Sequence, residues 1–286
     1  MKPAAKRSRR FPTLAALTWL YVLWSLLPVV IAARISLNDG RSRSAFQPMS
    51  FRWYWGDQVS SVWHDEALQT SMVNTLQLAL LCMMIATPLG VAMAIGLHRW
   101  RGKISNAANG LMLIPIVTPE IVFGVALFFV FSQVYVGVPT GTTRMLLGHV
   151  TFTLSFVVVI IRARLAAIGT QYEEAARDLG ASRLQAIRLV LLPLLAPAIF
   201  ASVMVVFATS VDDFVISSFL SSGAGDETVP IKIYSGARAG STPALNALAT
   251  VMLVFTLLAV TLAAIVVRWT NKRGGASTSG LARLTG

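Results

Sequence analysis

The amino-acid sequence predicts an all-α polytopic membrane protein: six transmembrane helices, with a helical cytoplasmic loop between spans four and five. Three observations carry this. Of 286 residues, 55% are hydrophobic and only 13% charged, with a mean hydropathy of +0.68. An average soluble domain carries about 25% charged residues, and a soluble chain of this length could not hide so much apolar surface. Six stretches almost free of charge have close to the ~20 apolar residues that cross a bilayer as a helix. The basic residues are also sorted. The net charge is +12, and 17 of the 24 Lys and Arg fall in segments 1–10, 98–109, 162–188 and 268–286, against seven in 34–71, 134–144 and 221–244. Basic residues mark the cytoplasmic side of short loops. Both termini are therefore expected inside, and the charge describes orientation rather than attraction to nucleic acid. The lone Cys82 lies in an apolar run, which excludes a disulfide framework and argues against a cysteine metal site.

The spans follow in order. Phe11–Ala33 is uncharged for 23 residues behind Lys2, Lys6, Arg7, Arg9 and Arg10. That exceeds the roughly 7–15-residue core of a signal peptide, so it is expected to remain as a helix. The second span lies within Ala67–Leu97. The third covers Gly110–Gln133 and is interrupted only by Glu120. Pro115 and Pro119 are expected to break it near its start. The fourth is the short run Met145–Ile161. The fifth, Leu189–Val211, runs into Asp212 and Asp213, and the sixth lies within Ala239–Val267. Small residues at Gly90, Ala94 and Gly124 suit close helix contacts, and Met83, Met84, Met93 and Met112 suit packing. The residues from Asn271 onward are polar and Gly-rich, so 271–286 reads as a disordered tail.

Two connections stand out. The outer one, 34–71, holds Phe46, Phe51, Trp53, Tyr54, Trp55 and Trp63. It reads as an interfacial aromatic belt with a short surface helix, or as a docking surface for an outer partner. The inner one, 162–192, has helical periodicity. Gln171–Leu179 forms a helix with Glu173 and Glu174 near its start, where the helix dipole favours acids. Gly180 ends it, and Ser182 with Gln185 makes a capping box that restarts a helix. The spacing alone fits either a solvated amphipathic hairpin or a small flat surface, with Ala175 and Ala176, that enters a groove on another protein.

This inner loop resembles the EAA loop of membrane subunits of binding-protein-dependent ABC importers. That pattern is E-A-A-x-x-x-G, nine residues, an aliphatic residue, x, L and P. Glu174, Ala175, Ala176, Gly180, Val190, Leu192 and Pro193 fall on it in register, with valine where isoleucine is commoner. The resemblance implies that the loop forms coupling helices in a cleft of a cytoplasmic ATPase, through Glu173, Glu174, Ala175, Ala176, Arg177 and Gly180. Further segments are similar to the spermidine/putrescine permease subfamily, closest to its second permease subunit: Arg52-Trp53-Tyr54, Thr118-Pro119-Glu120, His149-Val150-Thr151-Phe152, Asp212 to Ile216, Val229 to Tyr234 and Asn246 to Thr250. This likeness implies a six-span permease domain over 11–270 in a bacterial inner membrane. It implies as partners a second permease subunit, a heterodimer being expected, two ATPase subunits carrying ATP and Mg, and an extracytoplasmic solute-binding protein. No cofactor is expected in this chain.

Glu120, Asp212 and Asp213 lie in or at the rim of spans. A charge at the centre of a helix in lipid costs about 2.5–3.5 kcal/mol, so such residues face a cavity or a partner. A polyamine offers ammonium groups and little else, and acids with aromatic faces would bind it. The solute-pathway candidates are Asp213, Asp212, Glu120, Phe214 and Tyr234. On a regular helix Asp213 shares a stripe with Thr209, Ser210 and Ser217, while Asp212 neighbours Ala208 and Val215. Asp213 is thus expected to face the pathway, with Asp212 capping or pairing to a neighbouring helix. Glu120 is either a path residue or a bond to backbone freed by the prolines, and His149 is expected to bond a neighbouring helix.

Gly102-Lys103 is followed by Ile104 and has Leu97 where a first glycine would stand, so no phosphate-binding loop is present and no ATP hydrolysis is expected here. The alternatives are an importer for an iron complex or sugar, a stand-alone ion-driven carrier, or an intramembrane enzyme, for which no catalytic constellation is found.

Overall fold

A computed structural model describes residues 12–42, 45–100, 102–240 and 242–281. The basic stretch 1–10 and the last five residues lie outside it. Helix dominates because backbone groups in lipid must be satisfied within their own segment. Among the described residues the only β pairing is one antiparallel bridge, Asn38 with Met49.

Five helices are long and apolar enough to span a membrane, and one bent pair supplies the sixth. The first, α1, is Pro12–Ile35. Its apolar side chains stand exposed along its length, which suits a helix that packs mostly against lipid. The second, α2 (Glu66–Arg99), is capped by Asp65, whose carboxylate accepts the N–H groups of Ala67 and Leu68. The third span is broken as the prolines predict: α3 (Lys103–Leu111), α4 (Ile114–Val117, with Pro115 in its first turn) and α5 (Glu120–Phe129, entered from Pro119). The two halves meet at 108°. A π turn over Val130–Val134 closes α5.

The fourth span, α6, is Thr142–Ile168. The inner loop then folds as its sequence predicts. Gly169 turns the chain at φ 73° and α7 covers Gln171–Asp178. Gly180 turns again at φ 88°, a left-handed value that glycine adopts without penalty. The capping box is formed: Ser182 Oγ accepts the Gln185 N–H at 3.3 Å, and Gln185 Oε1 accepts the Ser182 N–H at 2.7 Å. It opens α8 (Arg183–Ala186), which passes through a π turn over Ile187–Leu191 into α9 (Leu192–Asp212).

After a break at Asp213 and Phe214 come α10 (Val215–Leu220), α11 (Val229–Ala239) and α12 (Pro243–Leu281). The backbone of α12 runs past Asn271 into the tail read as disordered; no proline follows Pro243 to interrupt its local hydrogen bonds. The core is the α2–α6–α9 bundle, where Cys82, Ala86, Ala94, Val157, Ile161 and Leu195 are fully enclosed. Close approach needs small residues. A Cβ on Gly90 would lie 2.6 Å from Val157, and one on Gly124 2.8 Å from Phe219.

The outer connection is only partly a belt. Trp53, in a single π turn at Arg52–Gly56, is fully buried and donates from Nε1 to the Asn38 carbonyl at 2.7 Å. Phe46, Phe51, Trp55 and Trp63 are the exposed members, and the Phe51 and Trp55 rings stack 5.2 Å apart.

Candidate functional site

The break in the fifth span sets the site. α9 stops at Asp212, and Asp213 is extended at φ −64°, ψ 119°. The stripe of Ser210, Asp213 and Ser217 persists across the break, but the bonding role expected of Asp212 falls to Asp213. Asp213 is the one bonded within the helices and is 6% exposed. Its Oδ1 accepts the Ser217 N–H at 2.8 Å and lies 3.1 Å from His149 Nε2. Asp212 is exposed and borders a separate apolar groove of about 490 Å³ with Val29, Ile233 and Thr250.

His149 is the hub that binds α6 to this break. It is buried, with Nδ1 2.8 Å from Ser210 Oγ and Nε2 2.9 Å from Ser217 Oγ. One tautomer satisfies the network: Nε2–H donates towards Asp213, and Nδ1 accepts from the Ser210 hydroxyl. Glu120, at the first turn of α5, lies within hydrogen-bonding reach of Asp213. Asp213 Oδ2 has no N–H or O–H donor of its own. Two carboxyl groups at that range need a positive species between them, whether a proton or a cation.

Next to this pair, Phe214 and Tyr234 pack with ring centroids 4.6 Å apart. They line an open groove of about 580 Å³ together with Ile121, Ser218, Ser222 and Glu227. Arg238 lies over the Tyr234 ring, 4.7 Å from its centroid, so that face already meets a cation. Glu227 lies 3.4 Å from Lys232 Nζ.

At the other end of the molecule, the inner loop of α7 and α8 exposes a few apolar side chains among polar ones. Leu179 is 90%, Leu184 73% and Tyr172 51% exposed, while Glu173 and Ala176 form its half-buried inner face. Glu174, Ala175, Arg177 and Gly180 are exposed on the same protrusion.

Residues 86–273 match the family of binding-protein-dependent transport system inner membrane components. The chain belongs to this family. Like other members, it is a transport permease subunit of the inner membrane. It is 34% identical over 255 residues to the spermidine/putrescine transport system permease protein PotC of Haemophilus influenzae, covering 88% of this chain and 96% of that one. It is 33% identical to PotC of Escherichia coli K12 (85% and 89% covered) and 33% identical to the putrescine transport system permease protein PotI of the same strain (84% and 83% covered). In fold the permease resembles a chain of a bacterial ABC transporter involved in alginate import, with TM-score 0.69 at 16% identity, covering 89% and 96% of the two chains. It also resembles one of the MetNI methionine ABC transporter, with TM-score 0.56 at 21% identity, covering 71% and 98%.

In this permease the fold unites Glu120 with Asp213 and Phe214 with Tyr234, residues far apart in sequence. It leaves Asp212 exposed beside a different groove and keeps the inner loop at the opposite end. Sequence reasoning missed Glu227, whose neighbourhood read as an outer loop, and Ser210 and Ser217 as partners of His149. A signal for the serines existed: both lie on the Asp213 stripe of the helical wheel.

Proposed function

We propose that the chain forms half of the translocation pathway of an ATP-driven importer for a polyamine of the spermidine or putrescine type. One observation carries the substrate class: a carboxyl pair, half-buried Glu120 and buried Asp213, beside the Phe214–Tyr234 aromatic pair. An ammonium group fits between two carboxylates through charge-assisted hydrogen bonds, and a second, a few methylenes away, fits an aromatic face by cation–π attraction. A sugar has no charge to place there. The names of the PotC and PotI relatives point the same way.

The remaining assembly follows from the inner loop and the family. A cytoplasmic ATPase, binding ATP and Mg, covers Tyr172, Leu179 and Leu184 through the exposed coupling residues Glu174, Ala175, Arg177 and Gly180. A second permease subunit completes the pathway, and an outer solute-binding protein delivers the solute. Both termini are cytoplasmic, from the distribution of basic residues. ATP binding and hydrolysis in the partner then alternate the exposure of the carboxyl pair between the two sides.

The test is uptake by the complete transporter in proteoliposomes. Labelled putrescine or spermidine should enter only with ATP inside and binding protein outside, and unlabelled polyamine should compete while a sugar or an iron complex should not. Uptake competed by sugar or iron and not by polyamine would overturn the substrate class. Failure of any ATPase to co-purify would overturn the importer reading.

A further inference from the structure

Glu173 and Glu174 are adjacent in α7 but have different surroundings. Glu174 is exposed. Glu173 is half-buried, and its Oε2 pairs with the guanidinium of Arg99, the last residue of α2. His98, Arg99, Glu173 and Arg177 border a small cleft of about 140 Å³ between the two helices. α7 is flanked by turns at Gly169 and Gly180, both at positive φ, and packs against the π turn at Ile187–Leu191 that leads into α9. The glycine turns alone would let a push on α7 dissipate as rotation. The Arg99 pair is a direct side-chain link from α7 to a membrane-spanning helix.

The other end of α2 is also held. Asn74 Nδ2 donates to the carbonyls of Gly225 and Glu227, each at 3.2 Å. The buried Thr75 Oγ1 accepts the Val229 N–H at 2.8 Å. The segment gripped there, 221–229, supplies Ser222 and Glu227 to the aromatic groove and leads into Tyr234 through α11. From Thr75 to Arg99 the helix covers about 36 Å at 1.5 Å per residue. In between it is packed tightly against α6 and α9, with Gly90 closing on Val157. Pro88 removes one bond from its ladder between those ends, so it is the packing on α6 and α9 that makes this helix an element able to carry displacement between distant sites.

We propose that Arg99 and Glu173 are a positioning pair, a strut through which movement of the inner loop drives α2 and so shifts outer segment 221–229 against the solute groove. Glu173 on this account faces the permease rather than the ATPase, and Glu174 is the acid left for the ATPase. The inference rests on the reading of α7 as the ATPase contact.

The test uses the complete transporter with Arg99→Glu, Glu173→Arg and the double exchange. Each single variant should retain the ATPase and hydrolyse ATP within about twofold of the parent, while solute moved per ATP falls about tenfold; the exchange should restore most of that loss, as a directly coupled pair does in a double-mutant cycle. A second readout does not depend on the reversed charges being tolerated. Ala224→Cys, in the exposed outer segment, should show ATP-dependent maleimide labelling, with Cys82 buried and silent. The neutral variants Arg99→Gln and Glu173→Gln should abolish that ATP dependence. Unchanged transport per ATP in the single variants, no recovery in the exchange, or ATP-dependent labelling that survives Arg99→Gln would each overturn the strut. Loss of ATPase binding in Glu173→Gln would overturn it too, by placing Glu173 at the ATPase. If the parent chain binds no ATPase, the assembly reading fails instead.

Discussion

Replacing Asp213 by Asn separates the role of its charge from the role of its hydrogen bonds. The asparagine Oδ1 can still accept the Ser217 N–H and the proton on His149 Nε2, which Asp213 Oδ1 receives at 2.8 Å and 3.1 Å. Its Nδ2 replaces the oxygen that lacks a donor and can donate to Glu120. Folding should therefore change little. Transport should not survive as well, because the pair has lost one of the two charges that hold an ammonium group. A hydrogen bond to a charged group contributes about 1.5–3 kcal/mol, and about 1.4 kcal/mol is tenfold. The KM for putrescine uptake should rise roughly 10- to 100-fold, with the melting temperature within a few degrees of the parent. Asp213→Ala should differ by also losing stability, since the Ser217 N–H and the His149 ring are left unpaired at about 1–3 kcal/mol for a buried donor. The assay is proteoliposome uptake over a putrescine series, with thermal unfolding of the same detergent-solubilised preparations. Asp213→Asn with KM unchanged, or Asp212→Asn with an equal or larger effect, would refute the assignment of the carboxyl pair as the cation site.

Two further predictions concern the scaffold. Gly90→Ala puts a methyl group 2.6 Å from the fully buried Val157. The overpacking cost of about 1–3 kcal/mol should outweigh the gain of about 1 kcal/mol in helix propensity, so thermal unfolding should come earlier; an unchanged or raised melting temperature would contradict the α2–α6 packing. In the outer connection, N–H bonds from Ser60 at 2.9 Å and Val59 at 3.1 Å, together with Arg52, hold the Asp57 carboxyl down from its ordinary 3.8 to about 2. A depressed carboxyl contributes stability that is complete above pH about 4 and is lost as pH falls through about 2. Fluorescence of the neighbouring tryptophans should report loosening of this turn in that window, and in Asp57→Asn the acid transition should vanish.

The spans and the inner loop were legible because their determinants are local. Uncharged runs define a helix in lipid without reference to any neighbour, and Ser182 with Gln185 closes its capping box within four residues. Pro115 and Pro119 announced the broken third span in the same way. The break at Asp213 had no such herald. Neither proline nor glycine lies between Thr209 and Leu220, and the interruption is held by His149, 64 positions away in sequence. A wheel drawn at 100° per residue groups Asp213 with Ser210 and Ser217 but cannot show that the chain breaks there and gives Asp213 the bonds expected of Asp212. The helix α11 is an intermediate case. Its signals were present, Pro230 in the first turn and Gly240 in the left-handed position after the last, the usual asymmetry of helix ends. They lay hidden in a segment counted only as an outer loop.

The two breaks also explain how acids come to sit at membrane depth at all. An unbroken helix spends every amide on its own carbonyls, leaving a carboxylate on its side with nothing to accept from but other side chains. At a break the chain restarts, and first-turn N–H groups are free. Glu120 stands at such a start, in the first turn of α5, where the helix dipole favours negative charge. Asp213 stands just before another and takes the Ser217 N–H. The interruption of the third span and that of the fifth bring these two starts face to face, with His149 from the unbroken fourth span fixing one of them. This scaffold keeps Asp213 in place with no solute bound. A carboxylate held by one backbone amide and an imidazole on one side, with an oxygen lacking a donor on the other, suits a small cation better than a neutral solute.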